Sequence, residues 1–203
     1  MAYWHIPNWI KMIYPNIVWD IREAGKTIFL TFDDGPTPEI TEKVLDLLDT
    51  FQAKATFFCL GRNVERHPDI YNEILHRGHL TGNHTYSHLK GWKTKDDQYI
   101  EDIELAAEFI RSPLFRPPYG QIRRSQIAKL RPDYRIVLWE VMSHDYEQRI
   151  SKERSLNALL RYTKKGSILV FHDSVKAYKK LEYILPRILE FFSNKGYEFG
   201  KIC

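Results

Sequence analysis

The sequence predicts an α/β fold in which parallel strands are covered by helices. Short runs of β-branched and aromatic residues alternate with longer amphipathic segments, which is the pattern of repeated strand–helix units. Two groups of polar residues follow such runs directly, and the carboxyl ends of parallel strands are where such folds place functional side chains. No linker, low-complexity tract or internal repeat divides the 203 residues, so we expect one domain. The pattern by itself does not separate an open sheet from a barrel.

Strands are predicted from apolar and β-branched runs, and helices from apolar residues at helical spacing. In chain order the predicted strands cover residues 27–32, 55–60, 79–81, 114–116, 136–140, 167–171 and 197–202. The first helix is opened by Thr37-Pro38 and the second is stopped by Gly78, as is usual for helix boundaries. The predicted helices cover residues 39–51, 69–77, 95–110, 152–162 and 181–194.

Composition indicates a globular protein and gives no sign of nucleic-acid binding. Hydrophobic residues make up 43% and charged residues 28% of the chain, as in ordinary globular domains. Thirty basic and 26 acidic residues give a formal charge of +4 without a dense basic block, so nucleic acid is not an expected partner. No stretch approaches the roughly 20 apolar residues that span a bilayer. Cys59 lies in an apolar run and Cys203 is terminal, so we expect no disulfide.

Residues 1–25 are rich in aromatic and aliphatic side chains and precede the predicted domain of residues 26–203. We expect them to form an arm packed on the barrel, because Pro7 and Pro15 interrupt any longer helix. Contact of this arm with a membrane interface is the alternative. The arm lacks a basic stretch followed by a continuous apolar one, so it does not resemble a signal peptide. The compartment, cytoplasmic or associated with the cell envelope, stays open, as does the oligomeric state.

Two short motifs indicate metal chemistry. Asp33 and Asp34 are adjacent where the first predicted strand ends. His84 and His88 are four residues apart, a spacing that lets both imidazoles reach one point from a single helical turn. One carboxylate and two imidazoles are a common ligand set for a catalytic divalent metal, and the spare aspartate would take a proton from water. The spacing predicts metal-assisted hydrolysis but does not decide which aspartate binds the metal.

The motifs resemble those of the polysaccharide deacetylases of carbohydrate esterase family 4, also called the NodB-homology domain. That family is marked by TFDDG, H-[ST]-x-x-H, R-x-P-Y, an aspartate- and tryptophan-bearing segment, and L-x-H. The matching segments here are residues 31–35, 84–88, 116–119, 139–146 and 170–172. The resemblance spans residues 26–173 and implies a distorted (β/α) barrel of about seven parallel strands with helices outside.

The resemblance assigns a metal site and a general base. It implies that Asp34, His84 and His88 bind the metal and that Asp33 takes the proton from the attacking water. Zinc is the expected metal, and cobalt, nickel or iron fit the same ligands.

The resemblance also implies three further catalytic residues. Arg116 would hold the base carboxylate ionised and oriented. The backbone N–H of Tyr119 would bind the oxyanion of the tetrahedral intermediate. His172 would protonate the leaving amine, because the pKa of an imidazole lies near the operating pH.

The last two motifs depart from the family pattern. Val170 replaces a leucine, and Tyr146 replaces a tryptophan. Met142 stands, in our alignment, where the family has the aspartate that tunes the acid histidine. Three nearby carboxylates are candidates to replace it: Asp145, Glu140 and Asp173.

The resemblance implies removal of acetyl groups from N-acetylated sugars, with a carbohydrate such as peptidoglycan or chitooligosaccharide as the partner. The first alternative is an O-acetyl esterase on acetylated xylan, since an alkoxide leaving group depends less on a tuned acid. The second is a catalytically degenerate relative that only binds carbohydrate. Only the altered fourth motif supports this second alternative, and the intact Asp33, Arg116 and His172 argue against it.

Overall fold

The computed structural model describes residues 4–23 and 25–202. Its strands are β1 (Thr27–Asp33), β2 (Thr56–Cys59), β3 (Leu80–Asn83), β4 (Leu114–Phe115), β5 (Arg135–Ile136), β6 (Val141–Met142), β7 (Ile168–His172) and β8 (Glu198–Gly200). Its α-helices are α1 (Asn8–Ile13), α2 (Ile40–Thr50), α3 (Gly61–Arg66), α4 (Pro68–His76), α5 (Asp96–Ala107), α6 (Arg124–Leu130), α7 (Lys152–Tyr162) and α8 (Tyr178–Asn194). Cys59 is a buried free thiol, while Cys203 lies outside the described residues, as do residues 1–3 and 24 of the predicted arm.

Parallel pairing joins seven strands in the order β5-β4-β3-β2-β1-β7-β6, and β8 pairs in parallel with the first residues of β1. The sheet curls into a half-barrel with helices around it, which confirms the predicted distorted (β/α) barrel. Because β1 lies between β2 and β7, Asp33 stands level with Phe58 on one side and His172 on the other. The central strand therefore carries the aspartate pair to the middle of the carboxyl edge.

Strand alternation decides which face of the half-barrel each β1 side chain occupies. Ile28, Leu30 and Phe32 are buried in the layer that also contains the apolar faces of α2 and α8. The residues between them point to the opposite face, where Phe29 packs in the second apolar cluster. Asp33 lies on the same face of β1 as Phe29, so its carboxylate belongs to the interior of the half-barrel.

The predicted strand over residues 136–140 is wrong in its middle. Only Ile136 pairs within the sheet as β5, and pairing resumes in β6 at Val141. Between them the backbone bonds partly to the N-terminal segment: Leu138 N donates to Val18 O (2.8 Å), and Glu140 O accepts from Ile6 N (3.0 Å). Two N–H groups still donate to the sheet, Val137 N to Phe115 O and Glu140 N to Ile168 O (both 2.9 Å). The apolar pattern is present, but part of the backbone hydrogen bonding of this segment goes to the N-terminal segment, so the predicted strand is interrupted.

The N-terminal segment lies against the half-barrel in this structure. Besides those bonds, Met142 N donates to Trp4 O (3.1 Å), and Val18 N donates to Ile136 O (2.9 Å). The division into an arm of residues 1–25 and a domain of residues 26–203 stays a prediction. No helix within the described ranges is both long and apolar enough to cross a membrane.

Candidate metal and catalytic site

The predicted site residues converge at the carboxyl edge of the sheet. A cavity of about 510 Å³ opens there. Six of the seven predicted site residues line it: Asp33, Asp34, His84, His88, Tyr119 and His172. The seventh, Arg116, is fully buried and forms an ion pair with Asp33.

The three predicted metal ligands form one cluster. Asp34, His84 and His88 each offer a ligand atom, and these atoms all lie within 4.8 Å of one another. Nε2 of His88 lies 3.2 Å from Asp34 Oδ1, and Nε2 of His84 lies 3.8 Å from the same oxygen. Asp34 Oδ1 is nevertheless buried without accepting a hydrogen bond. Donor atoms this close, with a buried oxygen left unpaired, suit a cation between them.

The expectation that a helical turn presents both histidines is wrong. Residues 84–88 form a loop after β3, and Thr85 and His88 have left-handed φ angles of 67° and 63°. Side-chain bonds replace helical ones: Asn83 Oδ1 accepts from Thr85 N (2.8 Å), and Thr85 Oγ1 accepts from His88 N (2.9 Å). Asparagine and threonine favour such local bonds over helix. The loop still turns both imidazoles toward Asp34.

The environment of His84 leaves one ring nitrogen free to bind a metal. Its Nδ1 lies 2.7 Å from the carbonyl oxygen of Arg116 and donates to it in the neutral ring. The neutral form is favoured because burial lowers the pKa of His84 to about 4. Nε2 is then the unprotonated atom, and it faces Asp34.

The carboxylate of Asp34 is ionised. Burial acts to raise its pKa, but the close contact with His88 and the charges of His172 and His84 outweigh burial and hold the pKa well below the usual value. Asn63 was not predicted as a site residue, yet its Nδ2 donates to the Asp34 backbone oxygen (2.7 Å). Its position just after β2 was the sequence signal that could have identified Asn63 as a site residue.

Asp33 forms an ion pair with the buried Arg116. Arg116 Nη1 lies 2.7 Å from Asp33 Oδ1 and donates equally closely to Thr31 Oγ1. Nε and Nη2 of the guanidinium donate to the carbonyls of Val137 and Leu138 (3.2 and 2.9 Å). The irregular segment after β5 thus supplies the acceptors that a fully buried guanidinium requires.

His172 is paired with Asp145, which answers the question left open by Met142. Nδ1 of His172 lies 2.8 Å from Asp145 Oδ1, and the backbone N–H of His172 donates to Oδ2 of the same carboxylate (2.8 Å). Burial acts to lower the pKa of His172, but the Asp145 charge and the Asp145 hydrogen bond outweigh it and raise the pKa to about 9. Met142 lines the cavity, and Tyr146 Oη donates to its sulfur (3.5 Å).

The other two candidate carboxylates, Glu140 and Asp173, bind different groups. Glu140 is buried beside Lys11, whose Nζ lies 2.7 Å away, and beside Arg22 of the N-terminal segment. Asp173 supports the loop after β1: its Oδ1 accepts from Gly35 N (3.1 Å) and its Oδ2 from Thr41 Oγ1 (2.5 Å). A Cβ at Gly35 would lie 2.1 Å from Asp173 Oδ2, so this close approach requires glycine.

Tyr119 lies in a short 3₁₀ turn, Pro118–Gly120, where its own φ is 61°. Its ring packs 4.6 Å from the His88 ring, between centroids, and is 53% exposed. The two prolines before it, Pro117 and Pro118, restrict the backbone that leads to Tyr119, a residue that lines the cavity.

This parallel α/β half-barrel, with an Asp–His–His cluster at the carboxyl ends of its strands, has the architecture of a metal-assisted hydrolase. The polysaccharide deacetylase family model matches residues 20–132. The chain is 33% identical over 190 residues to a peptidoglycan-N-acetylglucosamine deacetylase of Bacillus cereus, which covers 90% of this chain and 89% of that protein. It therefore belongs to the polysaccharide deacetylase family, carbohydrate esterase family 4, and is an enzyme of that class.

Two further similarities agree with this membership. The chain is 33% identical over 165 residues, 74% of each chain, to a chitooligosaccharide deacetylase of Rhizobium leguminosarum bv. trifolii. A crystal structure of the Bc1960 peptidoglycan N-acetylglucosamine deacetylase matches with a TM-score of 0.85 and 32% identity, over 96% of this chain and 94% of that one. Several other related deacetylases are longer, and the chain spans 62% or less of their length.

Proposed function

We propose that the chain hydrolyses the acetamido group of N-acetylglucosamine units in a glycan such as peptidoglycan or chitooligosaccharide. One observation carries the proposal: a single cavity joins the candidate metal ligands to the Asp33 carboxylate and the His172 imidazole, each held by its own buried partner. The names of two relatives, which specify peptidoglycan and chitooligosaccharide, support this substrate class.

Asp34, His84 and His88 are proposed to hold a divalent metal, with zinc as the first choice. The unpaired buried oxygen of Asp34 and the neutral His84 ring suit a cation, and carboxylate with imidazole is a usual donor set for zinc. Cobalt, nickel and iron accept the same donors. When bound, the metal polarises the acetyl carbonyl and lowers the pKa of a water molecule.

Asp33 is proposed as the general base. Its carboxylate lines the cavity, and the Arg116 guanidinium holds it in one orientation. Because the attacking water must give up a proton as the C–O bond forms, a fixed and charged carboxylate within reach lowers the barrier. The Tyr119 backbone N–H is proposed to donate a hydrogen bond to the oxyanion that then develops.

His172 is proposed to protonate the leaving nitrogen. With a pKa of about 9, its imidazole is protonated at neutral pH and can give that proton to the departing amine. Asp145 fixes which ring nitrogen faces the cavity, because it binds Nδ1. The acid pair supports N-acetyl over O-acetyl hydrolysis, since an amine is the poorer leaving group, and it also argues against a degenerate binding relative.

Acetate release from chitooligosaccharides tests the proposal, with metal-stripped protein compared before and after addition of zinc or cobalt. We expect acetate release only with metal. The Asp33→Asn variant should release far less acetate than the control variant Asp97→Asn, in which an exposed side chain is changed. Release from acetylated xylan but not from chitooligosaccharide would establish the esterase instead. No release from either substrate by folded, metal-loaded protein would leave the degenerate relative.

A further inference from the structure

The backbone of Asp34, the candidate carboxylate ligand, is strained. Its φ angle is 80°, in the left-handed region that a residue with a Cβ atom seldom adopts. Such a conformation persists only where the surrounding structure holds it in place. The groups that hold the backbone on either side of Asp34 therefore decide where its carboxylate lies.

Asp173 contacts the residues on both sides of Asp34. Its backbone N–H donates to Asp33 O (3.3 Å), and its Oδ1 accepts from Gly35 N (3.1 Å). Asp173 is fully buried and follows His172, the last residue of β7. One residue thus joins the strand that carries the proposed acid to the loop that carries the candidate ligand.

The second oxygen of Asp173 connects this loop to α2. Thr41, a fully buried residue in the first turn of α2, donates through Oγ1 to Asp173 Oδ2 (2.5 Å). The same hydroxyl oxygen accepts from Thr37 N (2.8 Å), farther along the loop. Asp173 and Thr41 together hold the loop at residues 33, 35 and 37.

The opposite side of the loop is held by the segment after β2. Leu60 N donates to Gly35 O (3.0 Å), and Asn63 Nδ2 donates to Asp34 O (2.7 Å). With its backbone fixed from two sides, Asp34 extends its side chain toward the histidines, and Oδ1 lies 3.2 Å from His88 Nε2. Loss of one side is expected to let the strained backbone relax and to move the carboxylate away from the imidazoles.

We propose that Asp173 is a positioning residue for the metal site and acts together with Thr41 by holding the backbone around Asp34. The proposal deepens the proposed function, because it rests on Asp34 as a metal ligand. Since neither side chain is expected to touch the glycan, their loss should lower zinc affinity and kcat and leave KM little changed.

Two substitutions of Asp173 test the hydrogen bonds. Asp173→Ala removes both acceptor oxygens, and we expect zinc affinity to fall about 10- to 100-fold, as is typical when a group that supports a ligand is lost. Competition with a chelator measures this affinity, and kcat and KM are measured on chitooligosaccharide at saturating zinc. Asp173→Asn should recover most of the loss, because its amide oxygen still accepts from Gly35 N and its NH₂ group can donate to Thr41 Oγ1.

Two threonines on α2 provide a matched pair. Thr41→Val removes the bridging hydroxyl at nearly constant volume, whereas Thr50→Val removes one that bonds only within the helix, to Asp46 O (3.0 Å). We expect zinc affinity to fall in Thr41→Val and to stay at the wild-type value in Thr50→Val. Because Thr41 acts on the same loop as Asp173, the double variant Asp173→Ala/Thr41→Val should lose less than the product of the two single losses.

Thermal unfolding shows which variants are folded, and Thr41→Val carries the test if Asp173→Ala does not fold. A lower unfolding temperature with unchanged zinc affinity and kcat would reduce Asp173 to a structural role and overturn the proposal. Equal losses in Asp173→Asn and Asp173→Ala would also overturn it, since charge rather than hydrogen bonding would then matter. Zinc affinity does not depend on turnover, so acetate release by the zinc-loaded wild type separately reports whether the deacetylase function holds.

Discussion

Nδ1 of His172 lies 2.8 Å from Oδ1 of Asp145, although 27 residues separate them in the chain. The pair forms where the loop after β6 turns back toward the end of β7. Asp145 also accepts the His172 backbone N–H, so the carboxylate fixes both the ring and its strand end. This bidentate arrangement explains how the site retains a tuned histidine although Met142 occupies the motif position where an aspartate was expected.

Asp145→Asn is expected to lower kcat and to shift the alkaline limit of activity. The neutral amide no longer stabilises the imidazolium, so the pKa of His172 should fall below its value of about 9. Since the proton donor must be charged, activity should be lost at lower pH than in the wild type. pH profiles of kcat on chitooligosaccharide measure this, and an unchanged alkaline limit would contradict the acid role.

The matched control for that experiment is Asp133→Asn, at an exposed position outside the pocket. It should leave both kcat and the pH profile unaltered.

Removal of a ligand is expected to abolish metal binding without unfolding the chain. His88→Ala deletes one of three donors, so metal affinity should fall by more than the roughly 10- to 100-fold that follows loss of a supporting group. Zinc content after dialysis, measured by mass spectrometry, and competition with a chelator report the change. His76→Ala, whose side chain is 86% exposed, is the control and should retain the metal. Undiminished zinc affinity in His88→Ala would place the metal elsewhere.

Arg116→Met is expected to reduce stability as well as activity, because it leaves Asp33 buried without its partner. Breaking a buried pair from one side costs about 3 to 5 kcal/mol in the free energy of unfolding. The double variant Arg116→Met/Asp33→Asn should recover part of that loss in urea unfolding yet stay inactive. If the double variant were no more stable than the single one, the ion pair would not be the source of the cost.

Glu140→Gln is expected to loosen the N-terminal segment from the half-barrel. Burial opposes ionisation of Glu140, but contacts with Lys11, Ser167 and Arg22 prevail and lower its pKa to about 2. A depressed pKa adds stability above the unfolded value of 4.5, and this stability is lost as pH falls toward 2. The variant should lose about 3 kcal/mol at pH 7 and show a weaker pH dependence below pH 5.

Urea unfolding between pH 2 and pH 7 measures both effects of this substitution. Glu23→Gln, at an exposed position on the same segment, should match the wild type. Equal losses of stability at pH 7 and pH 2.5 would rule out the ionic explanation.

Sequence by itself determined the fold class and the chemistry. Alternating apolar runs and amphipathic segments are local signals, and they located the central strand and five of the α-helices within a few residues, but not the short helices α1, α3 and α6. Asp33, Asp34, His84 and His88 lie in compact motifs whose residue types and spacing indicate a candidate metal site, even though the loop that presents the histidines is not helical.

Tertiary structure decided which distant groups meet. The sequence did not distinguish between the three candidate carboxylates near Met142. The path of the folded chain brings Asp145 to His172, whereas Glu140 binds the N-terminal segment. Residues 136–140 are predicted as one strand, but sheet pairing is interrupted between Ile136 and Val141, where Leu138 N and Glu140 O bond to the N-terminal segment. Such contacts depend on long-range geometry, which local residue preferences do not encode.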